Sequence, residues 1–209
     1  MAHYAQLERQ ALCDLLVEVG PEAPTLCQGW QTADLAAHLV LRERRPDAVG
    51  GILVPALAAR TERVQRQIRH ATDWDLLVRR IRGGPPAFLR PLDELINTVE
   101  YFIHHEDVRR GTTGGSVEPR ALEPGLEQTL WRRLRPMSKL MLRRVPTGVV
   151  LESPGYGSQV ARAASPGVTV RGAPGELLLW ASGRQQAARV TLEGPDEAVT
   201  AIEQASFGL

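Results

Sequence analysis

The chain has 209 residues, of which 43% are hydrophobic, and this is enough for one large domain or two small ones with a buried core. Its 25 basic and 24 acidic residues leave a formal charge of +1, which argues against nucleic acid or an anionic membrane as a partner. No apolar run approaches the length of a membrane-spanning helix, and the N-terminus lacks a signal-peptide pattern. We therefore expect a cytoplasmic protein whose two cysteines, Cys13 and Cys27, are reduced and structurally buried.

Helical periodicity dominates the first two thirds of the chain. The first helix is predicted over 4–19, where Gly20 and Pro21 end the apolar pattern. The second is predicted from Thr32, a suitable N-cap, to about Arg45 before Pro46. Further helices are predicted over 55–70, 73–82, 91–110 and 119–145, the last kinked near Pro136, with a Gly- and Thr-rich loop at 111–116.

The composition changes after Pro146. Short β-branched runs separated by Pro and Gly predict strands at 149–151, 159–162, 168–171 and 188–193, with helices at 174–182 and 195–204. The sequence thus predicts a mainly α protein in two domains. These are an all-α bundle over residues 1–146 and a small α+β domain over residues 147–209.

One predicted helix carries a carboxylate and an imidazole on an apolar stripe. Glu100 and His104 are four residues apart and so are neighbours on one face of the helix. Leu92 and Ile96 continue their row, which predicts that this row faces the core. Further upstream, His38 is a second imidazole on an apolar stripe, so three candidate metal ligands are present.

The same spacing has a simpler interpretation. A Glu and a His at i and i+4 form an ion pair, or a core histidine with a satisfied hydrogen bond, more often than a metal site. On spacing alone both interpretations stay open.

Two segments resemble a known family. The sequence Asp-Leu-Ala-Ala-His-Leu at 34–39, preceded by Trp30, and the pattern Glu-x-x-x-His-x-x-Asp at 100–107 resemble the mycothiol-dependent maleylpyruvate isomerase family. That family is a branch of the DinB-like metal-binding four-helix bundles. The segments 23–30 and 42–47 are most similar to a subgroup described only as metal-binding proteins, rather than to the isomerase itself.

The resemblance implies a divalent metal, usually zinc, held by His38, Glu100 and His104, although Fe²⁺ and Ni²⁺ also suit such ligands. Asp107 would then hold a ligand imidazole, with a surface ion pair to Arg109 or Arg110 as the alternative. His105 lies about 100° from His104 around the helix, so it is expected to be exposed rather than a ligand.

The family also implies a function. We expect a mycothiol-type thiol cosubstrate and a small electrophilic substrate, which point to an isomerase or an S-transferase. Arg184, which follows Gly183 as in the C-terminal domain of the family, is the candidate for recognising a substrate carboxylate. The rival interpretation is a non-catalytic metal-binding or metabolite-sensing protein on the same scaffold. The sequence gives no indication of the oligomeric state.

A basic segment at 131–144 holds six Lys and Arg residues. It is either an anion-binding or nucleic-acid-binding surface or the solvated side of an amphipathic helix. Trp131, Leu134, Met137 and Met141 recur at helical spacing, so the sequence favours the solvated side.

Overall fold

A computed structural model describes residues 3–52, 54–114 and 117–208. The protein is mainly helical with one small four-stranded sheet, as predicted. It divides into two compact units, Met1–Val117 and Glu118–Leu209. Across the described ranges, no helix is long and apolar enough to cross a membrane.

The first unit is built from helices whose positions agree with the periodicity of the sequence. A short 3₁₀ turn at Pro55–Leu57 replaces the predicted first turn of the third helix, and another at Ala87–Leu92 includes the first two residues of the predicted fifth helix. A further 3₁₀ turn at Val49–Ile52 lies in a segment where no helix was predicted. The helices are α1 (Tyr4–Val19), α2 (Thr32–Arg44), α3 (Ala58–Ala71), α4 (Trp74–Arg82) and α5 (Asp93–Gly111). In the predicted loop at 111–116, Gly111 ends α5, and residues 115 and 116 lie outside the described residues.

The N-cap of α2 lies one residue before the predicted cap. Gln31 is the N-cap, and its backbone N–H donates to Asp34 Oδ2 at 3.0 Å. Thr32, predicted as the cap, instead donates its hydroxyl to the carbonyl of Gly20. The start of α2 is therefore fixed to the end of α1 by a side chain that the sequence assigned to local capping.

Helix α5 is the central element of the first unit. It packs against α1, and α4 packs against both α1 and α2. From Asn97 to Val108 every residue of α5 except Glu100 is buried. The predicted apolar stripe is wrong at its start, because Leu92, Leu95 and Ile96 are exposed. The core around this helix is formed by Leu12, Leu16, Leu35, Leu39, Leu77, Ile81, Tyr101 and Val108.

The second unit combines a sheet with three helices. Strand β1 is paired with β2 in antiparallel orientation and with β3 in parallel, and β3 is paired with β4 in antiparallel orientation, which gives the order β2-β1-β3-β4. The elements are α6 (Pro124–Met141), β1 (Gly148–Ser153), β2 (Gly157–Arg162), β3 (Gly167–Arg171), α7 (Pro174–Ala181), β4 (Thr191–Glu193) and α8 (Asp196–Gln204).

Helix α6 belongs with the sheet, whereas the sequence placed it in the N-terminal domain with a boundary at 146. The buried face of α6 includes Leu126, Leu130 and Leu134. The helix packs against α7 and β2. The helix runs through Pro136 without ending. The compact units therefore divide near residue 118.

Candidate metal centre

The three predicted ligands come together in the first unit. Glu100 Oε1 lies 3.1 Å from Nε2 of His104 and 3.5 Å from Nε2 of His38. One ligand atom from each of the three side chains lies within 4.8 Å of the other two. Helices α2 and α5 thus bring together two imidazoles and one carboxylate from side chains that are up to 66 residues apart in sequence, from His38 to His104.

The two imidazoles are held in a buried setting. His38 is 8% exposed and His104 is 7% exposed, and their ring centroids are 5.4 Å apart in an edge-to-face arrangement. The indole of Trp30 packs against the ring of His38 at 5.1 Å. Trp30 comes from the segment before α2, so the local fold restricts the direction in which His38 points.

The donor types of the three side chains suit a divalent metal such as zinc. Zinc–nitrogen and zinc–oxygen bonds of about 2.0–2.2 Å in a tetrahedron place neighbouring donors about 3.3–3.6 Å apart. The two measured separations around Glu100 Oε1, 3.1 and 3.5 Å, are close to that range. The residues present therefore fit a divalent metal with three protein ligands and an open position.

Charges in the site are strongly coupled. Burial opposes ionisation of Glu100, but hydrogen bonds with His104 and His38 outweigh it and hold the pKa of this carboxyl well below its usual value. Burial likewise opposes protonation of His104, but Asp107, Cys27 and Glu100 raise the pKa of His104 well above the ordinary value for histidine. For His38, burial prevails and lowers the pKa.

Asp107 contacts the ring nitrogen of His104 that faces away from Glu100. Its Oδ2 atom is 2.9 Å from His104 Nδ1, and the residue is fully buried rather than on the surface. The thiol of Cys27 donates to the same oxygen at 3.2 Å. Cys27 was expected to be merely buried, but it is half-buried and lies next to the site. Cys27, His104 and Asp107 also form a second group with the spacing of metal ligands.

Arg42 lies on the other side of Glu100, and the sequence analysis missed it. Its Nε is 3.1 Å from Glu100 Oε1, NH1 donates to Asn97 Oδ1, and NH2 reaches the carbonyl of Ile96 at 3.4 Å. The guanidinium of Arg42 therefore connects α2 to three residues of α5. Its position one turn after His38, at i+4 on the same helix, is the signal that would have identified it.

A buried polar cluster continues from Asn97 away from the three ligands. Arg9 pairs with Asp93 at 2.6 Å and with Glu43 at 2.9 Å, and Tyr101 donates its hydroxyl to Glu43 at 2.8 Å. The Asn97 amide donates to Asp93 at 2.7 Å and to Glu43 at 3.3 Å. The cluster fixes α1, α2 and α5 to one another beside the site.

The sequence also predicted the positions of His105 and Arg184. The expectation that His105 is exposed is wrong: it is 7% exposed, and its Nδ1 is 3.0 Å from Glu8 Oε2 on α1. The reason is that α5 is covered on the side facing α1 as well. Arg184 follows α7 in the second unit, where NH1 donates to the carbonyl of Ser182 at 2.7 Å. Its contact with a substrate stays a prediction.

The chain is similar in fold to proteins of known structure. No protein-family model matches the sequence, and no curated protein matches it. The crystal structure of the mycothiol-dependent maleylpyruvate isomerase matches with a TM-score of 0.55 and 17% identity, over 91% of this chain and 90% of that one. The chain shares the fold of that isomerase. A histidine-to-alanine mutant of the isomerase matches with a TM-score of 0.57 and 16% identity, over the same shares of the two chains.

The predicted resemblance to the isomerase is therefore confirmed at the level of the fold. At 16–17% identity the likeness says nothing about the reaction. The narrower similarity to a metal-binding subgroup stays a prediction.

Proposed function

We propose that His38, Glu100 and His104 hold a divalent metal ion, zinc in the first instance, in a DinB-like four-helix bundle. The protein is then a thiol-dependent enzyme that uses a mycothiol-type thiol in the cytoplasm, either an isomerase or an S-transferase for a small electrophile. The observation that carries the proposal is the convergence of three ligand atoms from α2 and α5 within 4.8 Å, with both imidazoles buried.

The ligand number favours catalysis over a purely structural role for the metal. Structural zinc sites are closed by four protein ligands, whereas catalytic sites keep a position for water or substrate. The two histidines and one glutamate supply three ligands and leave Glu100 with 23% of its side chain exposed. An external thiol thus has an open position and an accessible side from which to reach it.

The charges near the site favour an anionic ligand. The formal charges of a divalent cation, Glu100, Arg42 and Asp107 add up to +1 when both histidines are neutral. When bound, zinc supplies Lewis acidity that lowers the pKa of a coordinated thiol. The chain itself contributes the carboxylate of Asp107, which keeps the hydrogen of His104 on Nδ1 and leaves Nε2 free as a ligand.

In an isomerisation of this type, the thiolate adds to a carbon–carbon double bond, the bond rotates and the thiolate leaves. The residues around the site would bind the thiolate and keep it deprotonated through the positive charge of Arg42. Arg184 is the residue proposed to bind a carboxylate of the substrate, because a guanidinium binds a carboxylate through two parallel hydrogen bonds.

One observation favours a site without metal. Glu100 already has a cationic partner in Arg42 at 3.1 Å and accepts from His104 at the same distance. An ion-paired cluster of Glu100, Arg42 and His104 is therefore the second candidate for this part of the molecule.

Turnover measurements test the proposed activity. The full chain, loaded with zinc, is incubated with mycothiol and either maleylpyruvate or a simple electrophile, and loss of substrate is followed by absorbance. We expect turnover that requires both the thiol and the metal. Metal binding without turnover of any such substrate would support the non-catalytic or sensing alternative.

A further inference from the structure

A cleft between α6 and β2 in the second unit is unrelated to the three metal ligands, all of which belong to the first unit. Its volume is about 380 Å³. It is lined by Arg135, Pro136, Lys139, Ser158, Gln159 and Val160.

The cleft lies in the most basic part of the chain. Between Glu127 and Glu152 the sequence contains no acidic residue and six basic ones. Two of these six, Arg135 and Lys139, line the cleft, and they are four residues apart on α6. Side chains at this spacing lie on the same face of a helix, so their charges add in the cleft.

Neither cation of the cleft is neutralised by a side chain within the described ranges. In the part of the chain that the structure describes, neither the guanidinium of Arg135 nor the ammonium of Lys139 has a hydrogen bond or an ion pair. By contrast, Arg171 on the same sheet pairs with Glu152 at 3.2 Å and with Glu193 at 3.5 Å. The cleft thus holds two cations whose charge is not balanced by a nearby carboxylate among its lining residues.

The other lining residues give the cleft polar groups at fixed positions. Ser158 and Gln159 lie on strand β2, which is an edge strand of the sheet. The Gln159 amide donates to Ser138 Oγ at 3.2 Å, which ties the strand to α6. A hydroxyl, an amide and two cations around a concave surface are a typical arrangement for binding a tetrahedral oxyanion.

We propose that this cleft binds a phosphate group, either inorganic phosphate or the phosphate of a small metabolite. Arg135 and Lys139 supply the charge, and the Ser158 hydroxyl donates a further hydrogen bond. The size of the cleft suits a small ligand. The aromatic residue of the basic segment, Trp131, is only 6% exposed, so the segment presents no stacking platform of the kind that single-stranded nucleic acids use.

The test is a titration of the isotope-labelled full chain with inorganic phosphate, and separately with glycerol 3-phosphate, followed by amide chemical shifts. We expect saturable shifts at Arg135, Lys139, Ser158 and Gln159. Tighter binding of the ester would identify a phosphorylated metabolite as the ligand, and tighter binding of phosphate would identify the free ion. Shifts that do not saturate, or that occur elsewhere, would overturn the proposal.

A pair of charge-matched variants separates the cleft from the general basic surface. Arg135→Gln with Lys139→Gln should weaken phosphate binding by about tenfold or more, because two charge-assisted contacts are lost. Arg143→Gln with Arg144→Gln removes the same charge from two exposed residues outside the cleft, and should change binding by less than about twofold. Equal weakening by both variants would show diffuse attraction, as for a nucleic-acid surface, and would contradict the cleft.

Discussion

The carboxylate of Asp107 lies 2.9 Å from Nδ1 of His104, three residues earlier on the same helix. With Nδ1 bound to this carboxylate, the other ring nitrogen is directed at Glu100 Oε1, 3.1 Å away. The pair is buried, so the imidazole has little freedom to turn. A single helix, α5, therefore supplies two candidate ligands and the group that orients one of them.

Replacing Asp107 with Asn tests this relationship. The substitution keeps the size of the side chain but removes the charge that holds His104, so we expect metal affinity to fall by about 10–100-fold. Competition with a chromophoric chelator measures the change. Asp93→Asn is the matched control, because Asp93 is a carboxylate of α5 that binds Arg9 instead of a candidate ligand. An unchanged dissociation constant in Asp107→Asn would refute the orienting role.

The raised pKa of His104 predicts how metal binding depends on pH. The raised pKa favours the protonated form of this histidine in the metal-free protein, and a metal must displace that proton. Affinity should therefore rise with pH between 6 and 8, by up to about tenfold per unit for each proton released. Calorimetry in buffers of different ionisation enthalpy measures the proton count. A count of zero at pH 7 would contradict the prediction.

The raised pKa of His104 also makes the stability of the metal-free protein depend on pH, but in the opposite direction: metal affinity rises with pH, whereas this contribution to stability falls. Because the folded pKa of His104 lies above the ordinary value of 6.5, its contribution to the free energy of unfolding is fully present below that pH. The contribution is lost as the pH rises through the folded pKa.

The His105 variant separates stability from metal binding. His105→Ala removes a partner of the buried Glu8 carboxylate, so we expect the free energy of unfolding to fall by about 1–3 kcal/mol. Because His105 does not belong to either group of candidate ligands, metal content should stay unchanged. Chemical denaturation and metal analysis of the same preparation give both values. Loss of metal from a folded His105→Ala protein would place this residue in the site.

The sequence predicted the helix positions well where local signals are strong. Gly20 and Pro21 end α1, Pro46 follows α2, and Pro174 begins α7. The α6 helix was assigned to the wrong neighbours because periodicity identifies an apolar face but not the surface that covers it. That face packs on α7 and β2, which follow α6 in the chain and are not specified by its periodicity.

The contact between Glu100 and His104 could be anticipated because a spacing of four residues on a helix is a local property, whereas His38 was joined to them only through the family resemblance. The cluster of Arg9, Glu43 and Asp93 could not be anticipated, since its pairs are 34 and 84 residues apart in sequence. His105 was misplaced for a related reason. Helical phase gives its direction relative to His104, but only the packing of α1 on α5 shows that this direction is buried.

Arg184 provides a test in the second unit that is independent of metal binding. Arg184→Lys keeps the charge but loses the planar fork, so binding of a carboxylate substrate should weaken by about 1–3 kcal/mol with metal content unchanged. Substrate affinity of the zinc-loaded protein measures this. If Arg184→Ala changes neither the affinity nor the turnover of a substrate, the proposed carboxylate contact is absent.

The most direct measurement is the metal content of protein purified without chelator and then reconstituted with zinc. We expect about one equivalent per chain in the wild type and a sharp loss in His38→Ala, Glu100→Ala and His104→Ala. His70→Ala, which changes an exposed histidine on α3, should keep its metal. A folded wild-type protein that binds no zinc, iron or nickel, or a His104→Ala variant that binds as much as the wild type, would contradict the metal centre.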